Sequence, residues 1–286
     1  MTTINVDADT VAKVIPPRRK DAHKRANGTV CVVGGSRLYH GAPFLCGTGA
    51  MRSGVDLVYI AVPASIATAV RALSPDFIVV PMPDSKLTRG NISKLMAWVP
   101  KVDAFAVGPG LGEQRPGDLA HAMNQLKGDG RSLVVDADAL RPQILPAIRG
   151  AKAVVTPHAG EFERLFGVKL PGDTAGKAEM ALAQAKRAGV TVLLKGPTDV
   201  ITDGESLALN SMHSPAMTVG GTGDVLTGVT AGLLAKGVLP FDAACAAAYV
   251  NGAAGVEAAS RSGMHITASD VANSVAGVMK KYDVLV

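Results

Sequence analysis

The feature that most constrains this 286-residue chain is a unit repeated along it: a short apolar run, then glycine or proline, then a stretch with helical periodicity. "TVCVVGG" (29–35) leads into "APFLCGTGAMRSG", a small-residue helical pattern ending at Gly54. "DLVYIAVP" precedes "ASIATAVRAL", and "DFIVVP", "VDAFAVGPGLG", "RSLVVDADAL" and "AKAVVTPHAGEFERLFG" follow in order. A strand wetted on one side alternates apolar with polar residues. Unbroken apolar runs are instead the pattern of strands buried on both faces, as in a parallel sheet covered by helices. Their alternation with helices predicts an α/β fold: a mainly parallel central sheet with helices on both faces. "VTVLLKGPTDVITDGESLALN" departs from the pattern, and its Gly-Pro and Asp-Gly turns predict an antiparallel excursion at one sheet edge. Beyond residue 237, "PFDAACAAAYVNGAAGVEAAS" and "TASDVANSVAGVMKKY" read as helices, the second with Thr267 or Ser269 as N-cap. No Ser-, Pro- or Gly-rich linker and no shift in charge interrupts the chain, so a single domain over 1–286 is expected.

Composition excludes several function classes. Hydrophobic residues make up 48% and charged residues 19%, which rules out a disordered or charge-built chain. The net charge of +5 is spread out, and its densest run, "RRKDAHKR" (18–25), is of a size that steers anionic nucleotides. With 4% aromatics, none of them interleaved with that run, nucleic acid is not the expected partner. Cys31, Cys46 and Cys245 are odd in number, far apart and in apolar surroundings, which fits free buried thiols and not a metal site. The amino terminus carries charge where a signal peptide needs its apolar core, and no run is long enough for a membrane span. A cytoplasmic setting is expected.

In an open α/β sheet, ligands gather beyond the carboxyl ends of the strands. Four glycine-bearing segments fall there: "GGSRLYHGAP" (34–43), "GPGLG" (108–112), "TPHAGE" (156–161) and "KGPTD" (195–199). The first is neither a Rossmann fingerprint nor a Walker A motif. Asp56, at roughly the ribose-binding spacing, precedes the next strand instead of ending it, so a classical dehydrogenase is disfavoured. His158 is either a capping residue of the helix "EFERLF" or a polar contact to substrate, and Glu161 fits that helix's first turn. Lys195 is either a solvated side chain or a point charge reaching a phosphate.

The most specific stretch is "GGTGDVLTGVTAGLLAKG" (220–237). Gly221, Thr222 and Gly223 supply backbone N–H groups at the start of a helix, where unpaired donors and the dipole both favour an anion. Val225, Val229 and Leu233 form the apolar stripe, with Leu226 and Thr230 beside it, and Gly228, Ala231 and Gly232 are expected to bring the helix close onto the sheet. Asp224 stands in the same turn as the proposed anion. It is either an N-terminal cap or the acceptor of a proton from a substrate hydroxyl during phosphoryl transfer.

These motifs, together with "GTVCVVGGSRLYHGAPFLCGTGAMRSG", "LVVDADAL" and "VLLKGPTDVITDG", lie in an order that resembles the ADP/ATP-dependent NAD(P)H-hydrate dehydratases of the ribokinase-like fold. The resemblance runs from about residue 11 to the C-terminus. It implies a repair reaction in which the S epimer of NADH or NADPH hydrated at C6 of the nicotinamide ring is phosphorylated on the ring hydroxyl and loses phosphate. ADP would be the donor, giving AMP and phosphate, or else ATP; Mg²⁺ is implied. Ala42, Gly110, Gly112 and His158 would touch the hydrated cofactor. Lys195, Gly196, Pro197, Thr198 and Asp199 would surround the nucleotide with Gly221, Thr222 and Gly223, and Asp224 would be the catalytic base. The resemblance further implies a stand-alone form, a homotetramer, and a separate epimerase acting in the same pathway. The alternatives are a vitamin-precursor kinase of the same fold, which shares the "GTGD" chemistry, and a non-catalytic nucleotide-binding module with Asp224 as a cap. Three places depart from the family's usual residues: "GVDLV" (54–58), "MTV" (217–219) and Asn251 in "YVNGAAG", where the family often has histidine.

Overall fold

The computed structural model describes residues 3–83, 86–99 and 101–286, so Met1, Thr2, Asp84, Ser85 and Pro100 lie outside the description. Its frame is one ten-stranded sheet. In chain order the strands are β1 (Thr3–Asn5), β2 (Thr29–Val33), β3 (Leu57–Pro63), β4 (Ile78–Met82) and β5 (Ala104–Val107). They continue as β6 (Ser132–Val135), β7 (Ala153–Val155), β8 (Thr191–Leu194), β9 (Asp199–Thr202) and β10 (Leu207–Asn210). Their spatial order is β1-β10-β9-β8-β7-β6-β5-β2-β3-β4, and β9 alone of the described strands runs against its neighbours.

The apolar runs behave as the sequence predicts. Every residue of β2, β5, β6 and β8 is buried. Alternate residues serve opposite faces: Val30 and Val32 of β2 join one core, and Cys31 and Val33 the other. On the first face lie α1 (Ala8–Val14), α2 (Gly41–Arg52) and α3 (Ala64–Leu73). The second face is covered by α4 (Arg89–Trp98), α5 (Pro116–Leu126), α6 (Leu145–Ile148), α7 (Ala159–Phe166) and α8 (Thr174–Ala188). Helices α9 (Thr222–Ala235), α10 (Pro240–Ser262) and α11 (Ala268–Met279) return to the first face. Thr267, one of the two N-cap candidates, closes a capping box with Asp270 at the start of α11.

Three expectations are corrected. The antiparallel excursion is present as β8-β9-β10, but it is not the edge, because β1 adds a parallel strand outside β10. A three-residue strand carries too little pattern to be read. Gly228 and Gly232 serve a helix contact and not close approach to the sheet. A Cβ on Gly228 would lie 1.9 Å from the Cys46 carbonyl oxygen, and one on Gly232 1.9 Å from Ser53 Oγ, both in or at the end of α2. Reciprocally, Gly49 of α2 faces the Val225 carbonyl oxygen, so the two helices meet backbone to backbone. Finally, the basic run at 18–25 lies at the amino ends of the strands, away from the glycine loops. Arg18 bonds Asp56 (3.0 Å), the residue before β3, and Asn27 donates to the same carboxylate; Arg19 pairs with exposed Asp21. Asp56 is thereby a loop anchor and not a ribose ligand.

The sheet reverses direction between β2 and β5: β3 and β4 follow on one side of β2, and β5 starts the other side. Such a switch point leaves a crevice at the carboxyl ends of the two strands. Here the backbones close on each other, with Gly35 N–H donating to the Pro109 carbonyl (2.8 Å).

Candidate active site

Helix α9 starts at the carboxyl ends of the strands and runs beneath them fully buried from Val225 to Ala235. A helix that is apolar all round can only sit inside the molecule, and so its first turn is held rigidly. Gly221 is its N-cap, with φ +99° and no side chain to bond the open N–H groups. A Cβ there would also press on Leu45 and Ala268, so glycine is required twice over. The first backbone bond of the turn is Val225 N–H to Gly221 O; among the described residues nothing accepts from the N–H groups of Thr222, Gly223 or Asp224. Thr222 turns its hydroxyl back to the Met217 carbonyl (3.0 Å), which fixes the loop that enters the helix.

Below this turn lies an ionic network that joins four segments. Asp136, directly after β6 and 2% exposed, accepts from Lys195 Nζ (2.9 Å) and from Thr227 Oγ1 of α9 (2.7 Å). Lys195, after β8, also faces Glu161 Oε2 at 3.6 Å. Burial alone would lower the Lys195 ammonium, but the carboxylates of Asp136 and Glu161 reverse that and hold its pKa above the ordinary value. Lys195 is therefore not simply solvated: its ammonium pairs with Asp136 and lies 3.4 Å from where a Cβ on Gly223 would stand.

Asp224 is half-buried in the first turn of α9. Burial first, and then the negative charge of Asp136, pushes its carboxyl up to about 7, with Lys195 opposing and Asp138 and Glu161 adding to the rise. A carboxyl tuned to that range can take up and release a proton near neutral pH. Of the residues expected around the nucleotide, Lys195, Gly196, Pro197, Asp199, Thr222 and Gly223 line a cavity of ≈ 530 Å³ and Gly221 does not; His158, expected at the hydrated cofactor, lines this same cavity. Ala42, Gly110 and Gly112 lie outside that cavity, in the segments that follow β2 and β5 at the switch point. A Cβ on Gly110 would touch Tyr39 and the Ala42 Cβ at 2.7 to 3.0 Å, and Gly112 N–H donates to Asp138 Oδ2 (2.8 Å). Ala42 stands one helical turn before Cys46, whose buried thiol is raised by burial and then by the charge of Asp224. Asp138 thus acts on Asp224 and Asp224 on Cys46, which ties these segments to the first turn of α9.

His158 proves to be a cap: its Nδ1 accepts from Gly160 N–H (3.1 Å) and its own N–H donates to Glu161 Oε2 (2.9 Å). Its ring remains 61% exposed at the cavity, so capping and a ligand contact are compatible. Asp199 uses both oxygens internally, accepting from Gly196 N–H and Asn210 Nδ2, and so shapes the 195–199 loop. Thr198 is not among the cavity-lining residues; its hydroxyl faces Ser211 Oγ at 3.5 Å. Asp136, Asp138 and Thr227 were not singled out by sequence reasoning. "LVVDADAL" did hold the signal, since two carboxylates follow directly on a buried strand.

Among the described residues no three His, Cys, Asp or Glu side chains form a metal cage. This donor set suits Mg²⁺, which keeps several waters and is held largely by substrate phosphates with one or two carboxylates. Asp136, Asp138 and Glu161 are the carboxylates whose charge acts on Asp224. No helix of the described residues is long and apolar enough to cross a membrane.

Residues 30–276 match the family model described as NAD(P)H-hydrate dehydratase. The chain is 48% identical over 279 residues to the ADP-dependent (S)-NAD(P)H-hydrate dehydratase of Cenarchaeum symbiosum, covering 97% of each chain. Among solved structures, it matches the ADP/ATP-dependent NAD(P)H-hydrate dehydratase of Bacillus subtilis co-crystallised with ATP/Mg²⁺, with TM-score 0.84, 27% identity and coverage of 99% and 100%. A ribokinase-like superfamily protein of Enterococcus faecalis matches with TM-score 0.82 and 25% identity over 98% and 96% of the two chains. By sequence over nearly its whole length, and by a ribokinase-like fold shared with these structures, the chain belongs to the NAD(P)H-hydrate dehydratase family.

Proposed function

We propose that this protein returns C6-hydrated NADH or NADPH to NAD(P)H at the expense of ADP or ATP, with ADP the favoured donor and the S epimer the substrate. The observation that carries the reading is Asp224, a carboxyl raised to about 7 in the first turn of a helix with open N–H groups. In this reading the nucleotide occupies the 530 Å³ cavity with its terminal phosphoryl group against Gly223. The hydrated nicotinamide ring lies in the crevice of Ala42, Gly110 and Gly112. Asp224 takes the proton of the C6 hydroxyl as that oxygen attacks phosphorus, and the phosphorus–oxygen bond to the rest of the nucleotide breaks. With ADP the leaving group is AMP. The α9 N–H groups meet the charge that develops on the transferring group, without reorganisation at the moment of reaction. The ring nitrogen lone pair then expels the C6 phosphate, and transfer of a C5 proton to the departing phosphate restores the double bond. Mg²⁺, when bound, offsets the polyphosphate charge. Lys195 and Asp136 hold the α9 turn and set the charge around Asp224.

A kinase of the same fold would stop at a stable phosphate ester, so the products separate the two readings. Hydrated NADH with Mg²⁺ and either ADP or ATP is followed at the reduced-nicotinamide band and by nucleotide analysis. The reading expects NADH and AMP to appear one for one with ADP. Consumption of nucleotide without NADH would favour the kinase. A homotetramer, a cytoplasmic setting and a separate epimerase supplying the S epimer complete the reading; sedimentation velocity checks the first.

A further inference from the structure

Part of the basic run, set apart from the glycine loops, meets three further cations at a second cavity. Arg18 lines a hollow of ≈ 330 Å³ with Arg52 at the end of α2, Lys236 at the end of α9 and Lys280 directly after α11. Asn27 and Gly54, which lead toward β2 and β3, line it too. It shares no lining residue with the cavity near Asp224. The 14 residues of α9 separate Lys236 from the turn that bears Asp224, a length of roughly 20 Å.

Cations at helix carboxyl ends ordinarily bond the last carbonyls. Here one such contact exists, from Lys236 Nζ to the Ser53 carbonyl at 3.4 Å. Arg52 and Lys280 make no side-chain hydrogen bond or ion pair among the described residues. Asp283 is the one carboxylate lining the hollow, and nearby Asp56 is already bonded to Arg18 and Asn27. Lys236 is half-buried. Burial first, and then the charge of Arg18, lowers its ammonium pKa against the opposing pull of Asp283 and Asp56. An ammonium withdrawn from water with one long hydrogen bond, beside three other cations, gains from any anion that supplies acceptors. The donors come from four separate segments, which suits a doubly charged group with several oxygens. Buried Ile15 and Met279 make part of the wall apolar. The volume falls at the lower end of small-molecule sites, roughly 300–1,000 Å³, so there is room for more than the charged group. We propose that this hollow is a second ligand site, which binds a phosphomonoester: Arg18, Arg52, Lys236 and Lys280 take the phosphate, and the wall of Ile15 and Met279 takes an apolar body. The inference does not depend on what the cavity near Asp224 holds.

Equilibrium titration of the wild-type protein with phenyl phosphate, inorganic phosphate and phenol tests it. Phenyl phosphate is expected to bind several-fold tighter than inorganic phosphate, and phenol should not bind. Lys236→Gln should weaken phenyl phosphate by about tenfold or more, the loss of one charge-assisted hydrogen bond. Phosphate held at the α9 turn instead would be untouched by that change, so wild-type affinity in K236Q overturns the inference. Equal affinity for phosphate and phenyl phosphate overturns the phosphomonoester as its ligand, and phenol binding as tightly as phenyl phosphate overturns the role of the cations. Arg52→Gln, at an exposed side chain, carries the same expectation of weaker binding and decides the matter if K236Q does not fold.

Discussion

At the scale of single residues, the site depends on how unlike charges are shared around one carboxyl. Lys195 is the cation that keeps Asp224 from rising further, and it is also the partner of buried Asp136. Lys195→Met removes both effects. Activity that needs ionised Asp224 rises as pH passes its pKa, so losing the cation should move that rise to higher pH; a pH profile of kcat/KM checks it, and an unchanged profile would contradict it. Leaving Asp136 buried without its partner should also cost about 3–5 kcal/mol in a denaturant titration. The sequence made Asp224 and its glycines legible because they are contiguous. Asp136 was not, because its partners Lys195 and Thr227 are 59 and 91 residues away, and only the folded sheet brings them together.

At the scale of elements, the placement of α9 decides the site, and α2 decides the placement of α9. Both helices carry small residues at their contact, and Gly228 lies against the Cys46 carbonyl. Gly228→Ala puts a methyl group where there is no room, and overpacking of that kind should destabilise by about 3 kcal/mol and loosen the turn that bears Asp224. Gly90→Ala in α4, where nothing lies within 4 Å, is the matched control and should be neutral or slightly stabilising. Thermal melts of the two variants compare them directly. The strand and helix pattern was readable from apolar periodicity, including the helices after 237. The partner of the small-residue stripe was not, since a stripe states that something approaches closely and not whether it is a sheet or a helix. Strand β1 escaped for a simpler reason: three residues show no period.

For the whole molecule, the raised Asp224 carboxyl sets stability against function. Between about 4 and 7 the folded protein holds a proton that the unfolded chain has released, so this group's contribution makes stability fall as pH rises through that window. Asp224→Asn removes the effect. Its melting temperature should exceed wild type at pH 8, by about 2–4 °C for each kcal/mol relieved, and converge with it near pH 4. Melting curves at the two pH values check this. The sheet order puts the loops after β2 and β5 at its switch point, and the cavity is lined instead by the loops after β7 and β8 together with the α9 turn. The most direct test of Asp224 as the base compares D224N with wild type in single turnover of hydrated NADH with ADP and Mg²⁺, alongside ADP binding. The account predicts ADP affinity close to wild type with NADH formation slowed by about 10² or more; NADH formation near the wild-type rate would contradict it.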